Sequence, residues 1–393
     1  MTEAVLSPLG ILADTAPTNS SVGVYVHVPF CTRRCEYCSF NTAPVDNREV
    51  VSRYLGALKR EIELLATAPW ARGLTVETVF FGGGTPSLLA ASEMETVLGA
   101  LRRALDVDEA AEITVECNPE SVTREKLAGY RRAGVNRVSL GVQSLDDAIL
   151  PAIGRLHTAA EARAAFEAAR GGGFSNVSVD LIYGLPGLTP EIWRSTVDGV
   201  LGWRPEHVSA YGLTLDPGSV WGSSGVKGLP PEDTVIGHYW TMVERARARG
   251  YEHYEISNYA RPGARSRHNQ IYWRRREYLA CGPGAAGFLG DVRFTNVKPV
   301  TRYIQLLEDG RLPIDTWERL TPHQALAESL ILGLRTADGV DTTQLNARAT
   351  ADPSLRRRLT AWREQGLLVD AGPRTRLTEA GFLLSDALFV DLL

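Results

Sequence analysis

Between positions 22 and 213 short β-rich runs alternate with amphipathic helical stretches, and this alternation limits the fold more than any other feature of the chain. The strand candidates cover residues 22–28, 78–81, 113–117, 137–142, 176–182 and 207–213. The helical candidates between them cover 48–66, 92–105, 124–133, 159–170 and 192–201. Strand alternating with helix builds βαβ units around a parallel sheet. Six units predict an α/β fold, an incomplete (β/α)6 barrel, with functional groups gathered where the strands end.

The strand ends carry such groups in order. The first strand runs into Cys31, and the second ends in Gly82-Gly83-Gly84-Thr85-Pro86. Glu116 and Asn118 close the third, Gln143 and Ser144 the fourth, and the fifth carries Asp180 before a turn at Tyr183-Gly184-Leu185-Pro186-Gly187. Consecutive glycines let a backbone approach a ligand closely. Glu116 can accept from an ammonium group, and Gln143, Arg155 and Asp180 can form a polar wall; each also fits an ordinary structural role.

Cys31, Cys35 and Cys38 give a C-x3-C-x2-C spacing, three thiolates on one short loop. Three ligands leave one iron of a [4Fe-4S] cluster free for a small molecule, and thiolates are the usual cluster ligands. A Cys3His zinc site recruiting His27 is the alternative. His27, however, lies within the alternating run Val22, Val24, Val26, Val28, which reads as a strand. The other two cysteines, Cys117 and Cys281, are isolated, and so few clustered cysteines fit a reducing cytoplasm better than a disulfide framework. The net charge of −4 supplies no general attraction to nucleic acid or anionic membranes. No apolar stretch reaches the roughly 18 residues of a membrane span. Residues 1–21 lack a basic, then apolar, leader pattern and read as a loose lead-in.

Taken together, the run from Tyr25 to Phe40, GGGTP at 82–86, ECNPE at 116–120, GVQS at 141–144, GRLH at 154–157 and DLIYGLPG at 180–187 resemble the oxygen-independent coproporphyrinogen III oxidase family of radical S-adenosylmethionine (SAM) proteins. The resemblance covers nearly the whole chain from Val22. It implies a cluster on Cys31, Cys35 and Cys38, SAM contacts from Tyr25, Gly83 and Glu116, and a pocket completed by Tyr37, Gly84, Thr85, Gln143, Arg155 and Asp180. The oxidases of this family place a further cysteine two positions after the third; here Phe40 stands there, followed by Asn41. That departure, with His268-Asn269-Gln270-Ile271-Tyr272-Trp273, is similar to the haem-chaperone branch.

The implied cargo is haem, handed to an acceptor protein such as a membrane-bound respiratory enzyme; a homodimer stays open. His268 offers an imidazole for haem iron, Tyr272 and Trp273 flat apolar surface, and Arg274, Arg275 and Arg276 partners for propionates. The residues alone fit equally a histidine bonded to local backbone beside a solvated basic patch. A Gly-Ala-His stretch common in relatives is Gly284-Ala285-Ala286 here, which removes a second histidine from any haem scheme. The competing classes are a catalytic porphyrinogen decarboxylase and a tRNA-modifying radical SAM enzyme; the latter would need a basic RNA-binding appendage that the chain lacks.

The expected divisions are a lead-in over 1–21, the barrel over 22–260, a haem-binding and connecting segment over 261–320, and a C-terminal, mainly helical winged-helix-like domain over 321–393. Thr321 followed by Pro322 opens the last with a helix to about 334, and a single helix is expected over 378–389. The basic spot at Arg356, Arg357 and Arg358 is too small for a nucleic-acid face. With one three-cysteine loop, anaerobic reconstitution should yield one cluster; changing Cys31, Cys35 or Cys38 to Ala should remove its visible charge-transfer absorption, and changing Cys117 or Cys281 should not.

Overall fold

The computed structural model describes Leu12, Thr15 and residues 17–45 and 47–390. Strands β1 (Ser21–Val28), β2 (Thr75–Gly83), β3 (Asp106–Cys117), β4 (Arg137–Gln143), β5 (Val177–Tyr183) and β6 (His207–Gly212) pair in parallel in that order. Helices α1 (Arg48–Leu65), α2 (Ala91–Ala104), α3 (Arg124–Ala133), α4 (Ala159–Gly171) and α5 (Pro190–Gly202) make the five crossovers, and α6 (Glu232–Ala248) follows β6. Local chemistry starts them: the side chains of Asn47, Thr123, Thr158 and Thr189 each accept a backbone N–H of the first turn. Val22, Val24, Val26 and Val28 are all buried on one face of β1, and the same alternation gives β2 to β6 an apolar outer face against the helices.

The expected six units are present, and the sheet continues past both ends of them. Beyond β6 the chain doubles back as β7 (Glu252–Glu255) and β8 (Asn258–Ala260), with β8 antiparallel to β6. On the other side β9 (Tyr278–Cys281) lies parallel beside β1, followed by antiparallel β10 (Ala286–Leu289), β11 (Val292–Asn296) and β12 (Ile314–Arg319). The sheet of twelve strands therefore runs β12-β11-β10-β9-β1-β2-β3-β4-β5-β6-β8-β7. An expected boundary at 260 cuts through this sheet, because the segment over 261–320 supplies four of its strands. Those strands hold only four to six residues, too few for a period to be read.

No pairing joins β6 to β1 among the described residues, so the barrel stays open. The chain crosses from the β8 edge to the β9 edge through helix α7 (Arg267–Trp273), which packs against β1 and β2. After α8 (Val300–Glu308) and β12, the C-terminal part is α9 (Pro322–Leu334), β13 (Val340–Asp341), α10 (Thr342–Ala351), α11 (Pro353–Glu364), and the ribbon β14 (Leu368–Ala371) and β15 (Arg374–Leu377). The expected final helix is two, α12 (Glu379–Leu383) and α13 (Ser385–Val390), broken at Leu384. Tyr239 on α6 donates to the Glu379 carbonyl, and Phe382 packs edge-on against His253, so this part docks on the barrel. Among the described residues no helix is long and apolar enough to cross a membrane.

The lead-in needs correction where it is described; the remainder of 1–21 lies outside the described residues. The backbone N–H groups of Thr18 and Asn19 both donate to the Glu277 carboxylate, at 2.6 and 3.0 Å, and Leu12 is buried in the core. A second buried carboxylate, Glu61 on α1, accepts from Gly282 N–H (2.7 Å), Asn296 Nδ2 (2.6 Å) and Tyr303 Oη (2.5 Å). It thereby ties α1 to the loop after β9.

Burial pushes the Glu61 carboxyl up to about 7, against the pull of those three hydrogen bonds. A carboxyl raised in the folded state favours folding most when protonated in both states, and that contribution falls as pH rises from the unfolded value through the folded one. Stability should drop by about 3 kcal/mol between pH 4.5 and 7.5 from this group alone. Urea unfolding of Glu61→Gln should show this part of the slope removed.

Candidate functional site

Each barrel strand points alternate side chains inward, and the inner set is polar. Arg137 and Ser139 of β4, Asp180 of β5, and His207, Ser209 and Tyr211 of β6 face Tyr25, Phe80 and Glu116 around a chamber of about 190 Å³. Above it, at the C-terminal ends of the strands, lies a cavity of about 300 Å³. Cys31, Cys35, Cys38, Tyr37, Gly83, Gly84, Thr85, Glu116, Gln143, Arg155 and Asp180 all line this upper cavity. Glu116, Ser139, Asp180 and Tyr211 border both spaces, and Tyr25 borders the lower one.

Close backbone approach shapes the upper cavity. Gly83 has φ 114°, and a Cβ there would sit 2.5 Å from the His27 ring. Gly84 N–H donates to the Val28 carbonyl (2.8 Å), which seats the glycine run against the start of the cysteine loop. Gln143 has φ 67°, a left-handed conformation that costs a non-glycine residue of order 1 kcal/mol or more. It follows a shift in the β4–β5 register at this point, and the irregularity aims the side chain into the cavity.

The cysteine loop is held from several sides. Thr85 Oγ1 donates to Cys31 Sγ at 3.5 Å, and Arg155 Nη1 lies 3.9 Å from Cys35 Sγ. Arg155 is itself fixed by Asn118 Oδ1 (2.9 Å) and the Gly141 carbonyl (2.6 Å). Asn41, the residue after Phe40, donates to the carbonyls of Pro283 and Lys298, both at 2.9 Å, anchoring the loop to the segment after β9. Burial raises the thiols of Cys31 and Cys38, so a positive centre must be bound before they ionise readily. Among the described residues no three His, Cys, Asp or Glu side chains close on one point as a single metal ion requires. His27, the alternative fourth zinc ligand, is engaged by Tyr25 Oη (3.0 Å) and the Asn41 carbonyl (2.8 Å).

Glu116 accepts the Gly83 N–H at 3.2 Å. Burial, then the neighbouring Asp180 carboxylate, pushes its carboxyl up to about 8. Asp180, also raised by burial, accepts Ser139 Oγ at 2.9 Å. Two half-buried carboxyls facing a shared space can accept a cation, which favours their ionised forms.

His268, expected as an axial iron ligand, has both ring nitrogens hydrogen-bonded to protein side chains. His268 is buried beneath the lower chamber, with Nδ1 bonded to Thr78 Oγ1 (2.7 Å) and Nε2 to Tyr272 Oη (2.8 Å). A neutral imidazole has one donor and one acceptor nitrogen, and both are used. Its ring also stacks on Phe80 at 5.1 Å, and burial pushes its pKa down to about 3. Trp273 does not join Tyr272 in a shared flat surface. Successive helical residues point about 100° apart, and Trp273 faces a cleft of about 390 Å³ against α9, under the Arg335 guanidinium at 4.8 Å. Arg274 pairs with Asp338, Arg275 with Glu328 and Arg276 with Glu77. Arg137, Thr78 and Tyr211 were not singled out from the sequence. The available signal was period two: Arg137, Ser139 and Gly141 alternate with buried Val138, Leu140 and Val142 along β4.

An open parallel barrel with three cysteines on the loop after its first strand defines a radical SAM protein, and residues 25–199 match the radical SAM superfamily. Residues 320–384 match the HemN C-terminal domain. The chain is 39% identical to heme chaperone HemW of Mycobacterium tuberculosis (strain H37Rv) over 376 residues, covering 94% of each protein. It is 34% identical to heme chaperone HemW of Bacillus subtilis (strain 168), over 93% of this chain and 97% of that one. The chain belongs to the HemW family. Its fold also superposes on coproporphyrinogen III oxidase (HemN) of Escherichia coli, described as a radical SAM enzyme, with TM-score 0.85 and 24% identity over 97% of this chain and 92% of that one.

Replacing His268 removes a buried ring bonded at both nitrogens. His268→Ala should lower stability by about 3 kcal/mol, read by denaturant unfolding. Unaltered unfolding would show that the ring does not hold α7 against the barrel.

Proposed function

We propose that this chain is a cytoplasmic haem chaperone that carries a [4Fe-4S] cluster and an exchangeable SAM. What supports the reading is the 39% identity, over 94% of both proteins, to a relative named heme chaperone HemW. The likeness to the oxidase, at 24% identity, speaks only for the fold. Phe40, 63% exposed and lining the upper cavity, occupies the place of the oxidases' extra cysteine.

The site residues fit these groups. Cys31, Cys35 and Cys38 would hold the cluster, whose open iron supplies a chelation point for the amino-acid end of SAM. Gly83, whose lack of a Cβ lets the glycine run pass the His27 ring, lines the cavity beside that point, and Tyr25 closes the chamber below. Glu116 and Asp180 accept the positive charge of the ligand, which favours their ionised forms, so binding is accompanied by proton loss from this pair. Thr85 and Arg155 orient the thiolates, and Tyr37, Gly84 and Gln143 bound the remaining space.

The acceptor is a haem protein, with a membrane-bound respiratory enzyme as the proposed partner. The second reading, an oxygen-independent coproporphyrinogen III oxidase, rests on the shared fold. The full chain with reconstituted cluster, SAM and reductant should bind haem stoichiometrically and leave coproporphyrinogen III unconverted. Protoporphyrinogen accumulating at an enzymatic rate would move the protein to the oxidase branch.

A further inference from the structure

One side chain joins the two donors that reach the cysteine sulfurs. Asn118, the residue after β3, sits between Thr85 and Arg155 and bonds to both. Its Oδ1 accepts Arg155 Nη2 at 2.9 Å, and its Nδ2 donates to Thr85 Oγ1 at 3.3 Å and to Glu120 Oε1 at 3.1 Å. Two of these neighbours fix the amide's orientation, because a guanidinium only donates and a carboxylate only accepts. Thr85 therefore accepts from Asn118, and its own proton is directed at Cys31 Sγ, 3.5 Å away. Arg155, also bonded to the Gly141 carbonyl at 2.6 Å, points Nη1 at Cys35 Sγ, 3.9 Å away.

The Asn118 backbone is clamped as well. Its N–H donates to Ser87 Oγ (3.2 Å), and its carbonyl accepts both Ser121 N–H (3.0 Å) and Ser121 Oγ (2.7 Å). Further along the same network His157 Nδ1 lies 3.4 Å from Glu120 Oε2, and His157 Nε2 bonds to the Val142 carbonyl at 3.1 Å. Gly154, at φ 85°, brings the chain against the cysteine loop just before Arg155; a Cβ there would sit 3.1 Å from Cys35 Cα. An amide with both donors used, on a fixed backbone, places two other donors at once.

We propose that Asn118 is a positioning residue for the cysteine loop: through Thr85 and Arg155 it directs one hydrogen bond each at Cys31 and Cys35, and so sets the reduction potential of the cluster those sulfurs hold. The inference rests on the reading of a cluster on Cys31, Cys35 and Cys38, and goes beyond it to a residue that acts through its neighbours. Hydrogen bonds to the sulfurs and nearby charge are among the determinants of a cluster's potential. One-electron reduction by an external low-potential donor such as dithionite adds one negative charge to the cluster and neither makes nor breaks a bond. A hydroxyl proton and a guanidinium charge aimed at the sulfurs stabilise that charge, so the pair raises the potential. Polarisation along Asn118, Thr85 and Cys31 strengthens the first branch. Leucine at this position keeps the volume and removes the anchor of both branches. Aspartate keeps an acceptor for Arg155 but has no donor for Thr85.

Dye-mediated reductive titration of the full, cluster-loaded chain without added SAM tests this, read by electron paramagnetic resonance of the reduced cluster. Asn118→Leu should make reduction on the order of tenfold less favourable, a downward shift of about 59 mV for one electron. Asn118→Asp should also shift the potential downward, through loss of the Thr85 branch and an added negative charge. It preserves shape, and so keeps the test open should Asn118→Leu not fold. Thr85→Val should lower the potential as well. In that background Asn118→Leu should cost less than it does alone, because one of its two branches is already gone. Shifts that add in full would overturn the relay through Thr85. Wild type that takes up no cluster would overturn the cluster reading itself. A wild-type potential in both Asn118 variants would overturn the positioning role alone.

Discussion

A polar lining inside an apolar shell is the constraint on which the rest of this structure depends. The outer faces of the parallel strands are buried valines, leucines and phenylalanines that hold the helices, and the inner faces are Tyr25, Glu116, Arg137, Ser139, Asp180, His207 and Tyr211. Buried polar groups are tolerated only when paired, and here they pair largely with one another: Asp180 with Ser139, His207 with Ser178 and Tyr254. The lining excludes a packed barrel core. It leaves a chamber whose unsatisfied capacity, such as the orphaned Arg137 Nε and the raised carboxyl of Glu116, is concentrated beneath the cysteine loop.

Helix α7 completes that arrangement from below. It packs against β1 and β2, donates the His268 backbone N–H to Glu112 and sets the His268 ring between Thr78 and Tyr272. Tyr272 then borders both the chamber floor and an arginine-rimmed groove outside. The helix, about two turns long, is thus shared by two spaces, and α9 of the C-terminal part forms the far wall of the second. The C-terminal part therefore packs on the barrel through α9 rather than standing apart as a separate module.

Much of the barrel was legible in sequence. The five crossover helices fall within two residues of their expected limits because four open on a capping side chain and all carry an apolar stripe. The gathering of the cysteines, Gly83, Gly84, Thr85, Glu116, Gln143, Arg155 and Asp180 on one cavity followed from the rule that strands in such units end on the same side. Less legible were β9 to β12, each too short to show a period and with β9 paired to a strand some 250 residues earlier, and the fate of His268. Its bond to Thr78 spans 190 residues, and no local pattern reports that both ring nitrogens are taken.

By itself, then, the sequence determined the repeating unit, the strand ends that carry chemistry and the family, because hydropathy period, capping and cysteine spacing are local properties. The tertiary structure alone decided that the sheet extends to twelve strands, that Tyr272 and Trp273 look into different spaces, and that Arg275, Tyr278, Arg293 and Glu328 share one groove. The physical reason is range. Side-chain hydrogen bonds and ion pairs are satisfied by whatever the fold brings within about 3 Å, and which groups those are depends on how the open barrel is closed.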